Sequence, residues 1–296
     1  MCRPILLAAA LLGLLPSTLA PQTPPPAATE AARPFVVEVE GSGRPMILIP
    51  GLLSSGEVWE GAVAHFRGRY RTHTLTLAGF AGVPPIADEP FLLAERDAIV
   101  RYIREQKLER PVLVGHSLGA FLAFWVAAAA PELVGPVVAV DGVPYLATLG
   151  DSTLTPERMR PRAEMGRAMY ATLTPEQVAM QTRMALQGQV KDSLHRERGV
   201  RWGRASDPAT VGRAVAEMLT TNLRGAVAAI RTPVLLVASG DGLDEARRAA
   251  TLGRYRAQVA RVPDARVVVA ANARHFVMLD DPAFLFDAMD RFLAGR

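Results

Sequence analysis

The stretch from Arg110 to Val134, RPVLVGHSLGAFLAFWVAAAAPELV, restricts the fold more than any other part of the chain. Val112-Leu113-Val114 is short, β-branched and apolar, with Pro111 at its start, and reads as a buried strand. Ala120 to Ala127 is Ala-rich, apolar and long enough to be a buried helix. Gly115-His116-Ser117-Leu118-Gly119 stands between them, so the chain turns sharply from strand to helix with Ser117 at the apex. Gly115 and Gly119 lack side chains, which lets strand and helix approach closely around Ser117. The serine oxygen is then held clear of the sheet. The N–H of Leu118, at the helix N-terminus, points toward the same space and can stabilise developing negative charge.

The rest of the chain repeats this alternation. Phe35 to Glu40 alternates apolar and polar residues like a half-buried strand, and Gly41-Ser42-Gly43 turns it. Met46 to Ile49, Thr72 to Leu77, Val137 to Val140, Val234 to Val237 and Val267 to Val269 read as further strands. Leu93, Ile99, Val100 and Ile103 have helical spacing between about Phe91 and Leu108. Asp281-Pro282 opens a last helix, with Asp as cap and Pro at the first helical position. Strands alternating with helices predict an α/β fold, a mostly parallel doubly wound sheet covered on both faces. Between about Gly150 and Arg224 the strand signal vanishes. That polar, arginine-rich segment is helical in pattern and holds six of the ten methionines. The expected organisation is a core of residues 34–149 and 225–296, with a helical cap of residues 150–224 inserted between two strands.

The first 33 residues read differently. Met1-Cys2-Arg3 precedes an apolar run, Ile5 to Leu15, and small residues follow at Thr18 and Ala20. Residues 1–20 are expected to be a secretory signal peptide, too short for a membrane span. Pro21 fits cleavage after Ala20 poorly, so cleavage further on, or retention as a membrane anchor, stays open. Residues 21–33 are Pro/Ala-rich and read as an extended linker. The expected location is secreted or periplasmic, with no membrane span in the mature protein. Cys2 is the one cysteine, so the mature domain is expected to hold neither a disulfide nor a thiol nucleophile. The net charge of +4 is almost all arginine, without a basic block interleaved with aromatics, and nucleic acid is not an expected partner. No Cys/His cluster, H-E-x-x-H or P-loop occurs in the sequence, so neither metal nor cofactor is expected.

From Phe35 to Arg296 the chain resembles the α/β-hydrolase superfamily. The matching stretches are ILIPGLLSSGEVW, LTLAGFAG, LVGHSLGAFLA, VAVDGVPYL, TPVLLVASGD and ARHFVMLDDP, in the superfamily's order. The resemblance implies that Ser117 is a nucleophile and that His275, just beyond the last strand, is its base. His65, His73 and His195 fit a helix, a strand and the insertion, and His116 cannot easily turn back onto its neighbour. The second oxyanion donor is expected in the loop after Ile49. The superfamily commonly has His-Gly there and this chain has Pro50-Gly51. The donor would be Leu52 N–H or, alternatively, Leu53 N–H. Ser54 and Ser55 could cap the next helix or face the pocket, capping being preferred. Trp59 and Phe80 are candidate pocket walls, with core packing as the competing explanation.

The triad acid has two candidates. Asp241 follows the Val234 to Val237 strand, where most members of the superfamily carry the acid, but its SGDGLDEA setting departs from the usual spacing. Asp141 ends the preceding strand, where some branches carry it, and is the preferred choice; Asp244 is third. Serine at the apex argues against a dehalogenase or epoxide hydrolase, which need a carboxylate nucleophile. The expected activity is hydrolysis of an ester, with lactone, thioester or amide as variants, in a small, largely apolar substrate. Met165 and Met169 are candidates for an adaptable substrate-binding face, with plain packing as the alternative. Competing functions are a lyase or cofactor-free peroxidase on the same scaffold, and a slow-turnover binding protein that keeps the triad. Nothing in the sequence sets an oligomeric state.

Overall fold

The computed structural model describes residues 34–295, so the leader and linker readings of residues 1–20 and 21–33 lie outside the described residues. Seven strands form one sheet: β1 (Phe35–Gly41), β2 (Arg44–Ile49), β3 (Tyr70–Leu77), β4 (Val112–His116), β5 (Val137–Val140), β6 (Val234–Ser239) and β7 (Ala265–Ala270). Their spatial order is β1-β3-β2-β4-β5-β6-β7. Every pairing is parallel except that of β1 with β3. β1 therefore pairs across Phe35 and Leu77 with β3, not with β2, its neighbour in sequence. β2, apolar from Pro45 to Ile49, lies inside the sheet between β3 and β4, with Met46 opposite both Thr72 and Val112.

The described residues also form ten α-helices: α1 (Glu60–Phe66), α2 (Phe91–Glu105), α3 (Leu118–Ala129), α4 (Pro156–Tyr170), α5 (Pro175–Gln189), α6 (Ser193–Arg204), α7 (Pro208–Thr220), α8 (Glu245–Gln258), α9 (Val277–Asp280) and α10 (Pro282–Leu293). Successive strand side chains point to opposite faces. Ile47, Leu113, Val137 and Leu236 join one buried cluster with α2 and α3. Met46, Val112, Val138 and Leu235 join the other with α1 and α10. Burial on both faces explains why these strands read as continuous apolar runs. Among the described residues, no helix is long and apolar enough to cross a membrane.

Four of the helices, α4 to α7, lie between β5 and β6. Their starts are written locally. Thr155, Thr174, Asp192 and Asp207 accept hydrogen bonds from the first-turn N–H groups, and α4, α5 and α7 each begin with proline. α4 packs on α7 and α5 on α6. The insertion also completes an element of the core. Pro90 gives α2 no side-chain cap, and the Glu217 carboxylate of α7 accepts from Phe91 N at 2.7 Å and Leu92 N at 2.8 Å instead. That places a negative group at a helix N-terminus, where the unpaired N–H groups and the helix dipole favour it.

Candidate active site

Ser117 occupies the junction of β4 and α3 with φ +54° and ψ −115°. A non-glycine residue there is strained, and the surroundings hold it in place. Its N–H donates to Val140 O at 2.9 Å, and its carbonyl accepts from Phe121 N at 3.1 Å. The flanking glycines are required by close backbone contact. A Cβ on Gly119 would stand 2.2 Å from Ile49 O, and one on Gly115 would stand 2.2 Å from Gly119 O.

Asp141 directly follows β5, with φ +45° and its N–H bonded to Val237 O at 2.7 Å. Its carboxylate is buried and fully engaged. Oδ1 accepts from Ser239 N at 2.8 Å and Tyr255 OH at 2.7 Å; Oδ2 accepts from Ser239 Oγ at 3.0 Å and faces His275 Nδ1 at 2.7 Å. Burial opposes ionisation, but the hydrogen bond from His275, its charge and the donors of Ser239 and Tyr255 outweigh it and hold the carboxyl below its ordinary value. The same burial, followed by the Asp141 charge, pushes the Tyr255 hydroxyl far up, so it stays a donor.

A carboxylate can only accept, so His275 carries hydrogen on Nδ1, and the neutral form of the ring has its lone pair on Nε2. His275 and Ser117 line one cavity of about 370 Å³. The loop bearing His275 rests on His116, whose ring centroid is 4.6 Å from that of His275 and whose Nε2 donates to His275 O at 3.1 Å. His116 is wholly buried. Burial, and then the proximity of His275, keep it well below the ordinary histidine range, as a neutral ring bracing the loop.

Leu52 and Leu53 both line the cavity, and Leu53 has φ +62°. Leu118 is the first residue of α3, where N–H groups have no intrahelical acceptor. Ser54 lines the cavity, whereas Ser55 accepts from Glu57 N and caps the following turn.

Several expected site residues stand elsewhere. Trp59 and Phe80 pack in the two large core clusters and are not among the residues lining the cavity. Met165 and Met169 are 69% and 46% exposed and do not line the cavity. Of the insertion's methionines only Met218 does. Asp241 pairs with Lys191 and Arg274, while Asp244 caps α8 by accepting from Arg247 N at 2.8 Å. The walls that sequence reasoning missed are Leu146, Val178, Leu186, Trp202, Val215 and Leu219. Val178, Thr182 and Leu186 recur at four-residue spacing on α5, so helical periodicity marks a buried stripe. It does not say that the stripe faces a cavity. Among the described residues, the lining holds no ionisable side chain other than the two histidines and Tyr170, and no Asp, Glu, Lys or Arg.

Residues 46–288 match the model of the Alpha/beta hydrolase family, and the chain belongs to it. It is an enzyme of that class. The chain is 30% identical over 110 residues to the pimeloyl-[acyl-carrier protein] methyl ester esterase of Aliivibrio salmonicida, a match covering 37% of this chain and 40% of that enzyme. It is 26% identical over 268 residues to the 2-(acetamidomethylene)succinate hydrolase of Mesorhizobium japonicum, covering 87% and 90%. The enol-lactonase of Burkholderia xenovorans LB400 shares the fold with a TM-score of 0.71 and 16% identity, over 88% of this chain and 96% of that one.

Proposed function

We propose that this chain is a serine hydrolase that cleaves an uncharged, largely apolar ester through an acyl-enzyme on Ser117. The observation that carries the reading is a serine on a strained elbow and a carboxylate-bound histidine opening into one cavity whose lining, among the described residues, bears no Asp, Glu, Lys or Arg. In the reaction His275 Nε2 takes the proton of Ser117 as its oxygen attacks the ester carbonyl. Asp141 holds the ring and stabilises the imidazolium. Leu118 N–H and the N–H of Leu52 receive the developing oxyanion. His275 then passes the proton to the leaving alcohol, and a water activated the same way releases the acid.

The similar enzymes named above act on a methyl ester, on a succinate derivative and on an enol lactone. A dicarboxylate entering a low-dielectric cavity needs a cation to meet it. The absence of such a partner from this lining supports a neutral ester over a succinate-like substrate. The leader-like first 20 residues support export to the periplasm or medium, or anchoring by an uncleaved leader. Fractionation of expressing cells with N-terminal sequencing tests this, and full-length protein confined to the cytosol would refute it.

Ser117→Ala is the direct test of the mechanism. Loss of a triad member costs on the order of 10⁴ to 10⁶ in rate. An organophosphonate is expected to modify Ser117 alone. Hydrolysis at the wild-type rate by the alanine variant would sink the proposal, and stoichiometric labelling without steady turnover on any ester would favour a binding protein instead.

A further inference from the structure

Asp241 has partners of its own, and they join the histidine loop to the inserted helices. Its Oδ1 is 2.7 Å from Lys191 Nζ, in the link between α5 and α6. Its Oδ2 accepts from Nε of Arg274, the residue before His275, at 3.2 Å. The two cations reach further. Arg274 Nη1 donates to Gln187 O at 2.9 Å and Val190 O at 3.4 Å, at the end of α5. Lys191 Nζ donates to Asn272 O at 2.5 Å. The carboxylate of Asp280 accepts from Arg274 N and Lys191 N, each at 2.9 Å. On the other side of the histidine, Phe276 N donates to Gln189 O at 3.2 Å. Leu186 and Gln189, on this same end of α5, line the cavity.

We propose that Asp241 is a positioning residue: by holding Arg274 and Lys191 together it keeps the His275 loop in register with the cavity wall on α5, and so aligns the base on Ser117. The inference rests on the reading of Ser117 and His275 as nucleophile and base. The hydrogen bond from Lys191 is the main cause that holds the Asp241 carboxyl below its ordinary value, with Arg274 adding to it, so the group is charged at neutral pH. Without that charge two cations face each other beside the base. Small displacements of a catalytic group are expensive in rate. The ion pairs themselves are partly exposed, at 38% for Lys191, 35% for Arg274 and 26% for Asp241, so they add little to global stability and are screened by salt. Alignment and stability are therefore separable by experiment.

The test compares wild type, Asp241→Asn and Lys191→Met on a p-nitrophenyl ester of a short aliphatic acid, with Asp287→Asn, from the ion pair with Arg291 on α10, as control. Asp241→Asn is expected to lower kcat roughly five- to tenfold with KM changed less than twofold, while Tm moves by no more than about 3 °C. Lys191→Met is expected to shift kcat in the same direction, and the control to match wild type. Raising NaCl to 1 M should lower the wild-type kcat toward that of Asp241→Asn and leave the variant's unchanged. Wild-type kcat in Asp241→Asn, a loss confined to KM, or a wild-type kcat indifferent to salt overturns the proposal. Ser117→Ala measured alongside keeps the two ideas apart. Activity there refutes the serine mechanism whatever Asp241 does, whereas an inactive Ser117→Ala beside a fully active Asp241→Asn refutes the positioning role alone.

Discussion

His275 Nδ1 lies 2.7 Å from Asp141 Oδ2, although 134 residues separate the two in the chain. The carboxylate directly follows β5 and the histidine sits on the loop after β7; β6 lies between the two strands. β6 contributes as well, because Ser239 at its end donates twice to the same carboxylate.

That relationship sets the first prediction. Asp141→Asn leaves the shape of the site but offers an amide where His275 needs an acceptor, so the wrong tautomer is favoured. The expected loss is about 10⁴ in kcat with the fold retained, by analogy with other triads. Asp241→Asn should lose far less. Steady-state kinetics on both variants decide the matter, and the reverse order would move the acid to the later strand.

Substrate preference follows from the lining. Leu146, Val178, Leu186, Trp202 and Leu219 offer apolar surface in a cavity of about 370 Å³, with no Lys or Arg among the described residues of the lining to meet a carboxylate. Neutral butanoyl and hexanoyl esters should exceed acetate in kcat/KM, since each buried CH₂ adds roughly 0.8 kcal/mol. A hemisuccinate ester should fall below a neutral ester of equal length by about 10². A preference for acetate, or parity for the hemisuccinate, would contradict this account of the pocket.

Stability should depend on pH through two buried histidines. Burial, and then the charge of Arg71, lower His73 to about 4, and His116 is lowered well below its ordinary value. The unfolded chain takes up protons near pH 6.5, where the folded protein does not. Their contribution is therefore complete above about pH 6.5 and lost as pH falls toward 4. Glu95 acts in the opposite sense: burial raises its carboxyl well above the usual value, so its contribution is present at low pH and lost as pH rises. Comparing Tm between pH 7 and 4.5 in wild type and His73→Gln isolates one histidine. The drop should be smaller in the variant, and equal drops would count against a neutral buried His73.

Patterns within a few residues of one another were enough to write most of the fold. The strand before Ser117, the Gly-x-Ser-x-Gly turn and the apolar helix after it are local facts. So are the Asp281-Pro282 start of α10 and the loss of alternation after Gly150, which marks where α4 to α7 replace strands. Strand order, the depth of each side chain and the partner of each charge are not local. Trp59 ends a single 3-10 turn before α1 and Phe80 lies in the bend after β3, and nothing in their sequence neighbourhoods distinguishes a pocket wall from a core residue; packing against opposite faces of the sheet buried both. Met165 and Met169 lie four residues apart on α4, but the pairing of α4 with α7 left them facing outward. Asp141 and Asp241 lie beyond the carboxyl ends of two neighbouring interior strands, β5 and β6. The left-handed turn at the end of β5 brings Asp141 to His275, and two cations, one of them on the insertion, engage Asp241. Sequence supplied the chemical groups and the elements that carry them. Only tertiary packing decided which groups meet, because burial and charge pairing depend on neighbours far away along the chain.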